Sequence, residues 1–278
     1  MLRGFYSAAA GMIAQQRRTE MLTNNIANAN TPGYKADQGT MRAFPEMLMN
    51  RLEATGSLAK NGNSINTSTG IGGLNTGVYM QEMLPLFKQG DIRETGLPTD
   101  IALVNGNLPI NPDTNAPGSL FFTVQNGNGD IRYTRNGNFT IDPAGYLTTN
   151  EGFYVLDEAG NRIPLQSDDF QVTADGSLVV NGQAQTRLQI AYSDDPLALI
   201  KEGNGLYRTN DNTPLPNAAA NPAVSYNLKQ GFIEGSNVDV SMAMTEMMTA
   251  YRSFEANQKI LQAYDKSMDK AVNEIGKL

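Results

Sequence analysis

Acidic side chains are the only groups in this sequence that could perform general acid–base chemistry. The 278 residues include no His, no Cys and no Trp, which excludes thiolate nucleophiles, imidazole bases, Ser-His-Asp triads and the common zinc sites. Two adjacent carboxylate pairs occur, Asp168-Asp169 and Asp194-Asp195. Both lie beside turn or proline signals, and adjacent strand residues point to opposite faces, so neither pair predicts a catalytic dyad. A catalytic pair of two carboxylates that are distant in the sequence, as in glycosidases, remains an open alternative.

The glycine-rich stretches do not form a phosphate-binding loop. Residues 70–73 and 203–205 lack both the following Lys-Ser/Thr and a strand-to-helix context, and no calcium-loop spacing is present. A net charge of −7 argues against a nucleic-acid-binding surface. The sequence has no run of eighteen apolar residues, so we predict no membrane insertion. We therefore predict a protein that is not an enzyme and has no catalytic residue, cofactor or metal.

The last forty residues show a heptad pattern. Apolar residues recur every seventh position: Val240, Met247, Phe254, Leu261, Met268 and Ile275. A second series lies three residues further on: Ala243, Ala250, Asn257, Tyr264, Ala271 and Leu278. Only Asn257 is polar in this a/d pattern, which predicts a helix of roughly 55–60 Å at about 1.5 Å per residue. Such a helix is longer than a small domain is wide and needs a partner.

The first thirty residues offer that partner. Two series with the same spacing are Phe5, Met12, Thr19 and Ile26, and Ala8, Gln15, Leu22 and Ala29. The turn at residues 31–33 should end this helix. We predict that the two ends pair in antiparallel fashion and that neighbouring copies complete their burial. An amphipathic helix lying on its own domain is the alternative, and Arg17-Arg18 is a solvated face or an inter-helix ion-pair site.

In the middle of the chain apolar and polar residues alternate with period two, and turn dipeptides such as Asn181-Gly182 lie between the alternating stretches. The strand candidates are Ile101–Val104, Leu120–Gln125, Ile131–Thr134, Asn138–Ile141, Gly152–Leu156, Phe170–Thr173, Leu178–Val180, Leu188–Tyr192 and Leu206–Thr209. Short strands at this spacing indicate hairpins of a small sandwich or barrel. The predicted fold class is mainly β with long α-helical termini, the β domain being inserted between heptad helices that pair as a coiled coil.

The region between the first helix and the β domain is harder to interpret. Residues 41–48 form a short apolar patch, which predicts one or two helical turns. Residues 56–77 are rich in Gly, Ser, Asn and Thr, which indicates a flexible linker or an extended arm ordered by neighbouring subunits. The predicted organisation is a coiled-coil domain (1–35 with 236–278), an extended arm (36–84), a β domain (85–226) and a return connection (227–235).

Several segments resemble the bacterial flagellar rod and hook proteins. Residues 24–35 look like the signature that ends the N-terminal helix in that family, and residues 235–240, with parts of the last helix, look like its C-terminal partner. Residues 133–139 and 145–156 resemble the family's β domain. The motif residues are Asn25, Asn28, Asn30, Thr31, Pro32, Gly33, Tyr34, Asn237, Val238 and Asn257. The resemblance covers nearly the whole chain.

One departure from the family pattern lies at residues 109–118, which intervene before Phe121-Phe122. The short β domain and the long arm are most similar to distal rod proteins of Bacillus-type flagella. The resemblance therefore implies a structural axial subunit of the basal body that transmits torque. A hook or hook-junction protein is the alternative, and a cell-wall-binding β protein is a second one.

The resemblance also implies how the subunit reaches its place. Family members are exported unfolded through the flagellar type III apparatus without a cleaved signal peptide, and Phe44 with Leu48 fits the loose export-gate pattern. Outside the membrane the terminal helices would order as an inner tube, with copies of this chain and other rod or hook subunits as partners. The helix seam would be formed by Phe5, Met12, Leu22, Ile26, Val240, Met247, Phe254, Leu261, Tyr264, Met268 and Ile275.

Overall fold

The structure, a computed structural model, describes residues 2–53, 67–112, 114, 116–165 and 170–275. They divide into two compact units. The first, here called the terminal unit, is drawn from Met1–Thr23, Gln38–Met83 and Ser241–Leu278. The second, the β unit, comprises Asn24–Asp37 and Leu84–Val240. The chain is mainly β with a helix near either end, which confirms that part of the predicted fold class.

The helices are α1 (Leu2–Ala27) and α2 (Val240–Lys270), the latter continued by a π-helical turn at Ala271–Ile275. The strands are β1 (Asp37–Ala43), β2 (Met47–Glu53), β3 (Thr67–Leu74), β4 (Val78–Pro85), β5 (Ile92–Glu94), β6 (Ile101–Asn105), β7 (Ser119–Gln125), β8 (Ile131–Thr134), β9 (Phe139–Ile141), β10 (Leu147–Thr149), β11 (Tyr154–Val155), β12 (Phe170–Val172), β13 (Ser177–Val180), β14 (Gln183–Arg187), β15 (Ile190–Ser193), β16 (Ile200–Lys201), β17 (Leu206–Arg208), β18 (Tyr226–Gln230) and β19 (Phe232–Glu234).

Helix α1 ends four residues before the predicted turn. Both the backbone amide and the side-chain amide of Asn28 donate to the carbonyl oxygen of Asn24, at 3.1 and 2.9 Å, so Asn28 closes the last turn of the helix. The chain then turns, and Gly33 adopts a φ of 68°, which a glycine reaches without steric cost. A Cβ at Gly33 would also collide with the backbone of Arg135, so two requirements select glycine at this position.

A two-stranded ribbon completes the terminal unit. Strands β1 and β4 pair, and β2 pairs antiparallel with β3. The amide of Phe44 donates to the carbonyl of Gly77 at 3.0 Å between the two pairs, so the ladder continues. At its root the ribbon packs on α1, where Gly39 leaves room for the buried side chains of Met21 and Met80.

Two predictions for this region are wrong. Residues 41–48 are not helical, because they belong to β1, β2 and the bend between them. The linker interpretation also fails for residues 67–74, which form β3. In both cases a partner strand supplies hydrogen bonds that local propensity does not reveal. Residues 56–66 of the predicted linker lie outside the described residues.

The β unit is built on one eight-stranded antiparallel sheet. Its strand order is β16-β17-β8-β7-β11-β10-β9, and β15 also pairs with β7. Strands β12, β13 and β14 form a second sheet, and the pairs β18–β6 and β19–β5 are separate ladders. All nine strands predicted for the β domain are present. The connection predicted at residues 227–235 instead contains β18 and β19, which pair with strands more than 120 residues earlier.

Both faces of β7 are covered. The larger apolar cluster includes Ile101, Leu120, Phe122, Leu147 and Ile190, each 0% exposed. The smaller cluster consists of Phe121, Tyr133, Ala191, Leu199 and Tyr207. Because adjacent strand residues point to opposite faces, Phe121 and Phe122 enter different clusters. Strand β7 is therefore central to the packing of the β unit.

Candidate functional site

The predicted seam residues of α2 lie on one face of that helix. Only Ala243 and Ala250 are buried along α2. The larger seam residues are half-buried: Met247, Phe254, Leu261, Tyr264 and Met268. Val240 is exposed, and the side chain of Ile275 lies outside the described residues. Much of the apolar seam of α2 therefore stays partly open to solvent in a single chain.

Helix α1 buries more than its predicted seam. Leu22 is buried, whereas Phe5, Met12 and Ile26 are half-buried. Ala14 and Met21, outside the predicted series, are also buried. These two residues are seven apart, and they lie outside both heptad series predicted for α1. The ribbon accounts for the burial of Met21.

The contacts between α1 and α2 run in antiparallel order. Tyr264 packs on Gly4, and Asn257 packs on Gly11, where a Cβ would lie 3.0 Å from the Asn257 amide nitrogen. Further along, the guanidinium of Arg18 pairs with the carboxylate of Glu246 at 2.9 Å. Of the two interpretations of Arg17-Arg18, the inter-helix ion pair therefore applies to Arg18. Both partners are about one-third exposed, so the pair is worth at most about 1 kcal/mol.

A second apolar stripe on α2 faces solvent. Met244, Met248 and Tyr251 are 46%, 54% and 57% exposed. Beside them is a groove of about 230 Å³ lined by Thr19, Met247, Met248, Tyr251 and Arg252. Methionine side chains adapt to contacts of several shapes, and contiguous exposed apolar surface is typical of interaction sites. This stripe falls outside positions a and d, so it is not part of the predicted heptad seam.

The motif residue Asn25 makes internal contacts. Its side-chain amide donates to the carbonyl of Asp37 at 2.8 Å, and its oxygen accepts from the amide of Asp37 at 2.9 Å. The hydroxyl of Tyr34 donates to the same oxygen at 3.1 Å. Both Asn25 and Tyr34 are buried, so these two motif residues hold the end of α1 against the segment that follows it.

Asn237, from the C-terminal motif, forms hydrogen bonds with the same segment after α1. Its oxygen accepts from the amide of Ala36 at 2.7 Å, and its nitrogen donates to the carbonyls of Leu86 and Lys88 at 2.8 and 3.0 Å. Val238 is half-buried beside it. The two sequence motifs thus meet in the β unit, although about 200 residues separate them.

Five motif residues line a polar cleft of about 330 Å³. Its walls include Asn28, Thr31, Pro32, Gly33, Tyr34, Glu151, Lys201 and Asn204. The ammonium of Lys201 lies 4.4 Å from the centre of the Tyr34 ring and pairs with Asp37 at 2.8 Å. Burial and the adjacent Asp37 carboxylate raise the pKa of Tyr34, so its phenol stays protonated. Asn30 is exposed.

A buried cluster of three charges lies beside the motif. The Glu234 carboxylate accepts from the Lys35 ammonium at 2.6 Å and from the Arg135 guanidinium at 2.5 Å. All three side chains are 1% exposed. Burial lowers the pKa of Lys35 to about 8, the Glu234 charge opposing the shift and Arg135 adding to it. Burial alone would raise the pKa of Glu234, but the two cations hold it below its ordinary value.

The remaining candidate residues are scattered. Phe44 is exposed and stacks on Tyr79 with 5.1 Å between ring centres, whereas Leu48 lies in β2 and its side chain is outside the described residues. Asp195 accepts from the amide of Leu197 and caps a 3-10 turn. The Asp168-Asp169 pair also falls outside the described residues.

Two features of the described part of the chain concern metal binding and membrane spans. It holds no group of three or more acidic side chains placed to bind a metal ion. Within the same residues, neither helix has a stretch long and apolar enough to cross a membrane.

Three family descriptions match this sequence. Residues 5–35 match "Flagella basal body rod protein", and residues 117–180 match "Flagellar hook protein FlgE/F/G D1 domain". Residues 229–274 match "Flagellar basal body rod FlgEFG protein C-terminal". The first and third ranges contain the two motifs that meet in the β unit. The second begins at the end of the segment 109–118 that departs from the family pattern.

Individual relatives match along the full length. The chain is 52% identical to "Flagellar hook-basal body complex protein FlhO" of Bacillus subtilis (strain 168), over all of both chains. It is 31% identical to "Flagellar basal-body rod protein FlgG" of the same organism, over 98% of this chain and 99% of the relative. It is 30% identical to "Flagellar basal-body rod protein FlgF" of Caulobacter vibrioides, over all of both chains.

None of these three names describes an enzyme; each describes a part of the flagellar rod or of the hook–basal body complex. The matched ranges cover both helices and part of the β unit, and the full-length similarity to FlhO leaves no large segment without a counterpart. The chain therefore belongs to the family of flagellar basal body rod and hook proteins.

Proposed function

We propose that this chain is a structural subunit of the distal rod that assembles helically with copies of itself and transmits torque from motor to hook. The observation that carries the proposal is the full-length similarity to FlgG and FlgF, both named as basal-body rod proteins. The half-buried seam of α2 and the exposed stripe with Met248 and Tyr251 support it. Contacts that repeat between identical subunits by a screw operation give an open helical assembly.

In this proposal the two chain ends, 1–35 and 236–278, pair as a coiled coil and form the inner layer of the rod. Residues 36–84 form an arm and residues 85–226 an outer β domain, and residues 227–235, which contain β19 and most of β18, lead back to the last helix. The antiparallel contacts at Gly4, Gly11 and Arg18 support the pairing. Neighbouring copies would cover the seam residues that one chain leaves half-buried.

Export is a further part of the proposal. The subunit would leave the cell unfolded through the flagellar type III apparatus, without a cleaved signal peptide, and Phe44 with Leu48 would engage the export gate. The test is secretion of the double substitution F44A/L48A, with F44L/L48M as the matched control. We expect the alanine variant to remain inside the cell while the control is secreted. Equal secretion of both would remove these two residues from the export signal.

Electron microscopy of basal bodies from a strain that lacks this gene tests the main proposal. We expect a truncated rod without a hook, and restoration of both by the wild-type gene. A complete rod with a normal hook would contradict a structural role in either part.

The name of the relative FlhO, "hook-basal body complex protein", covers the hook as well as the rod and so supports one alternative. In that alternative the chain is a hook or hook-junction protein. The same micrographs distinguish the two, because loss of a hook subunit leaves a rod of full length that carries no hook.

A further inference from the structure

The buried cluster of Lys35, Glu234 and Arg135 joins segments that lie far apart in the sequence. Lys35 is the last residue of the N-terminal signature, Glu234 is the last residue of β19, and Arg135 follows β8. A fourth segment contributes the amide of Gly90, which donates to Glu234 at 2.9 Å, and the carbonyl of Lys88, which accepts from Lys35 at 2.9 Å. The cluster therefore exists only when four segments of the β unit are together.

The charges of the cluster do not balance. Two cations share one carboxylate, and Glu234 and Arg135 are the charged side chains that face Lys35. Arg135 has neutral acceptors as well, the carbonyls of Leu120 and Leu103 and the side chain of Asn105. A buried cation without a counter-charge is costly, so removal of Glu234 leaves two cations to repel each other.

We propose that this cluster is a latch in which the single charge of Glu234 holds the segment after α1 and the segment before α2 in the β unit. The backbone supports this role, because the amide of Gly33 donates to the carbonyl of Glu234 at 2.8 Å. Asn237 bonds the amide of Ala36 close by. The inference goes beyond the proposed function, because it concerns how one chain closes on itself, whichever axial structure it joins.

The latch is sensitive to pH through Lys35. Its pKa is about 8 in the folded chain and 10.5 ordinarily, so between these values the unfolded chain holds a proton that the folded chain has released. Unfolding then takes up protons, and this residue makes stability rise as pH increases through that window. When the counter-charge of Glu234 is removed, the pKa of Lys35 falls further, so its neutral form predominates at lower pH.

The experiment uses the full chain with E234Q, K35M and the double substitution K35M/E234Q. At pH 7 we expect E234Q to lower the thermal midpoint of the β unit by about 10 °C, because a buried charge pair is broken. K35M should have a much smaller effect, since it leaves Arg135 paired with Glu234. The double variant should recover part of the E234Q loss, because one of the two unpaired cations is gone. The matched control is E202Q, since Glu202 is about one-third exposed in its pair with Arg132.

Hydrogen exchange separates a latch from a general loss of stability. In E234Q the amides of Gly33 and Ala36 should exchange faster than in the wild type. The amide of Thr123, which donates to Gln189 within the core, should keep its protection. Equal acceleration at all three amides, or none at any, would overturn the proposal.

The dependence on pH provides a second test that does not require E234Q to fold. Between pH 7.5 and 10 the wild-type midpoint should rise relative to that of K35M, which has no titrating group at this position. A difference between the two midpoints that stays constant with pH would refute the pH dependence that we assign to Lys35. If E234Q folds, its midpoint should recover between pH 7 and 9 more than that of the double variant.

Discussion

The β unit and the terminal unit differ in how far they bury their apolar side chains. In β7, all residues from Ser119 to Val124 are buried, and two apolar clusters cover the two faces of the strand. Along α2, by contrast, Ala243 and Ala250 alone are buried, while Met248 and Tyr251 are more than half exposed. The β unit completes its core within one chain, and the terminal unit does not.

This difference assigns separate tasks to the two units. A closed core stabilises one chain by itself, because apolar surface is removed from water without a partner. A helix with a half-open seam gains comparable burial only when another surface covers it. We therefore expect substitutions in the β unit to alter the stability of the single chain, and substitutions on α2 to alter assembly.

The largest effect on the single chain is expected in the closed core. Phe122 is fully buried and packs edge-to-face against Phe139. Phe122→Ala should lower the free energy of unfolding by about 3–5 kcal/mol, because it removes apolar contacts and leaves a cavity. The control is Phe44→Ala, where the ring is exposed and about 1 kcal/mol or less is expected. Urea unfolding measures both, and similar losses would erase the contrast between the units.

A helix-breaking substitution should come next. Leu261→Pro in the middle of the seam removes a backbone donor and clashes with the preceding turn, which costs about 3 kcal/mol in a helix interior. We expect assembly and motility to be lost, whereas the unfolding midpoint of the β unit stays that of the wild type. Leu261→Met keeps the helix and should keep motility. A motile strain that carries Leu261→Pro would show that this half of α2 is not needed.

The smallest effect on the single chain is expected at the exposed stripe. Met248→Ser should change the free energy of unfolding by about 0.5 kcal/mol or less, because its side chain is already largely solvated. It should nevertheless slow polymerisation of the purified chain, measured by light scattering. Gln262→Ser, on an exposed polar position of the same helix, is the control. Polymerisation at the wild-type rate would exclude the stripe from the interface.

Patterns with a local physical cause were readable from the sequence. The heptad spacing placed the predicted seam residues on one face of α2, since residues three and four apart share a helix face. Alternation and turn dipeptides located nine strands of the β unit. At the turn between β13 and β14, Asn181 and Gly182 have the expected positive φ values of 52° and 77°.

The ribbon shows why other elements could not be predicted. Strand β3 contains three glycines among its eight residues, a composition that favours a linker. It is a strand because β2 lies beside it and supplies backbone hydrogen bonds that require no particular side chain. Strands β18 and β19 were missed for the same reason, since their partners β6 and β5 lie far away in the sequence.

The sequence alone determined the family, the class of fold and the exclusion of thiol and imidazole chemistry, because these depend on residue types and their local spacing. Tertiary structure alone decided what the motif residues do. One short segment of the β unit is held by hydrogen bonds that involve Asn25, Tyr34 and Asn237. Beside it lies the buried cluster of Lys35, Arg135 and Glu234, which no spacing in the sequence predicts. A charge can lose its water only where distant segments together supply its partners, and which segments meet is a property of the fold.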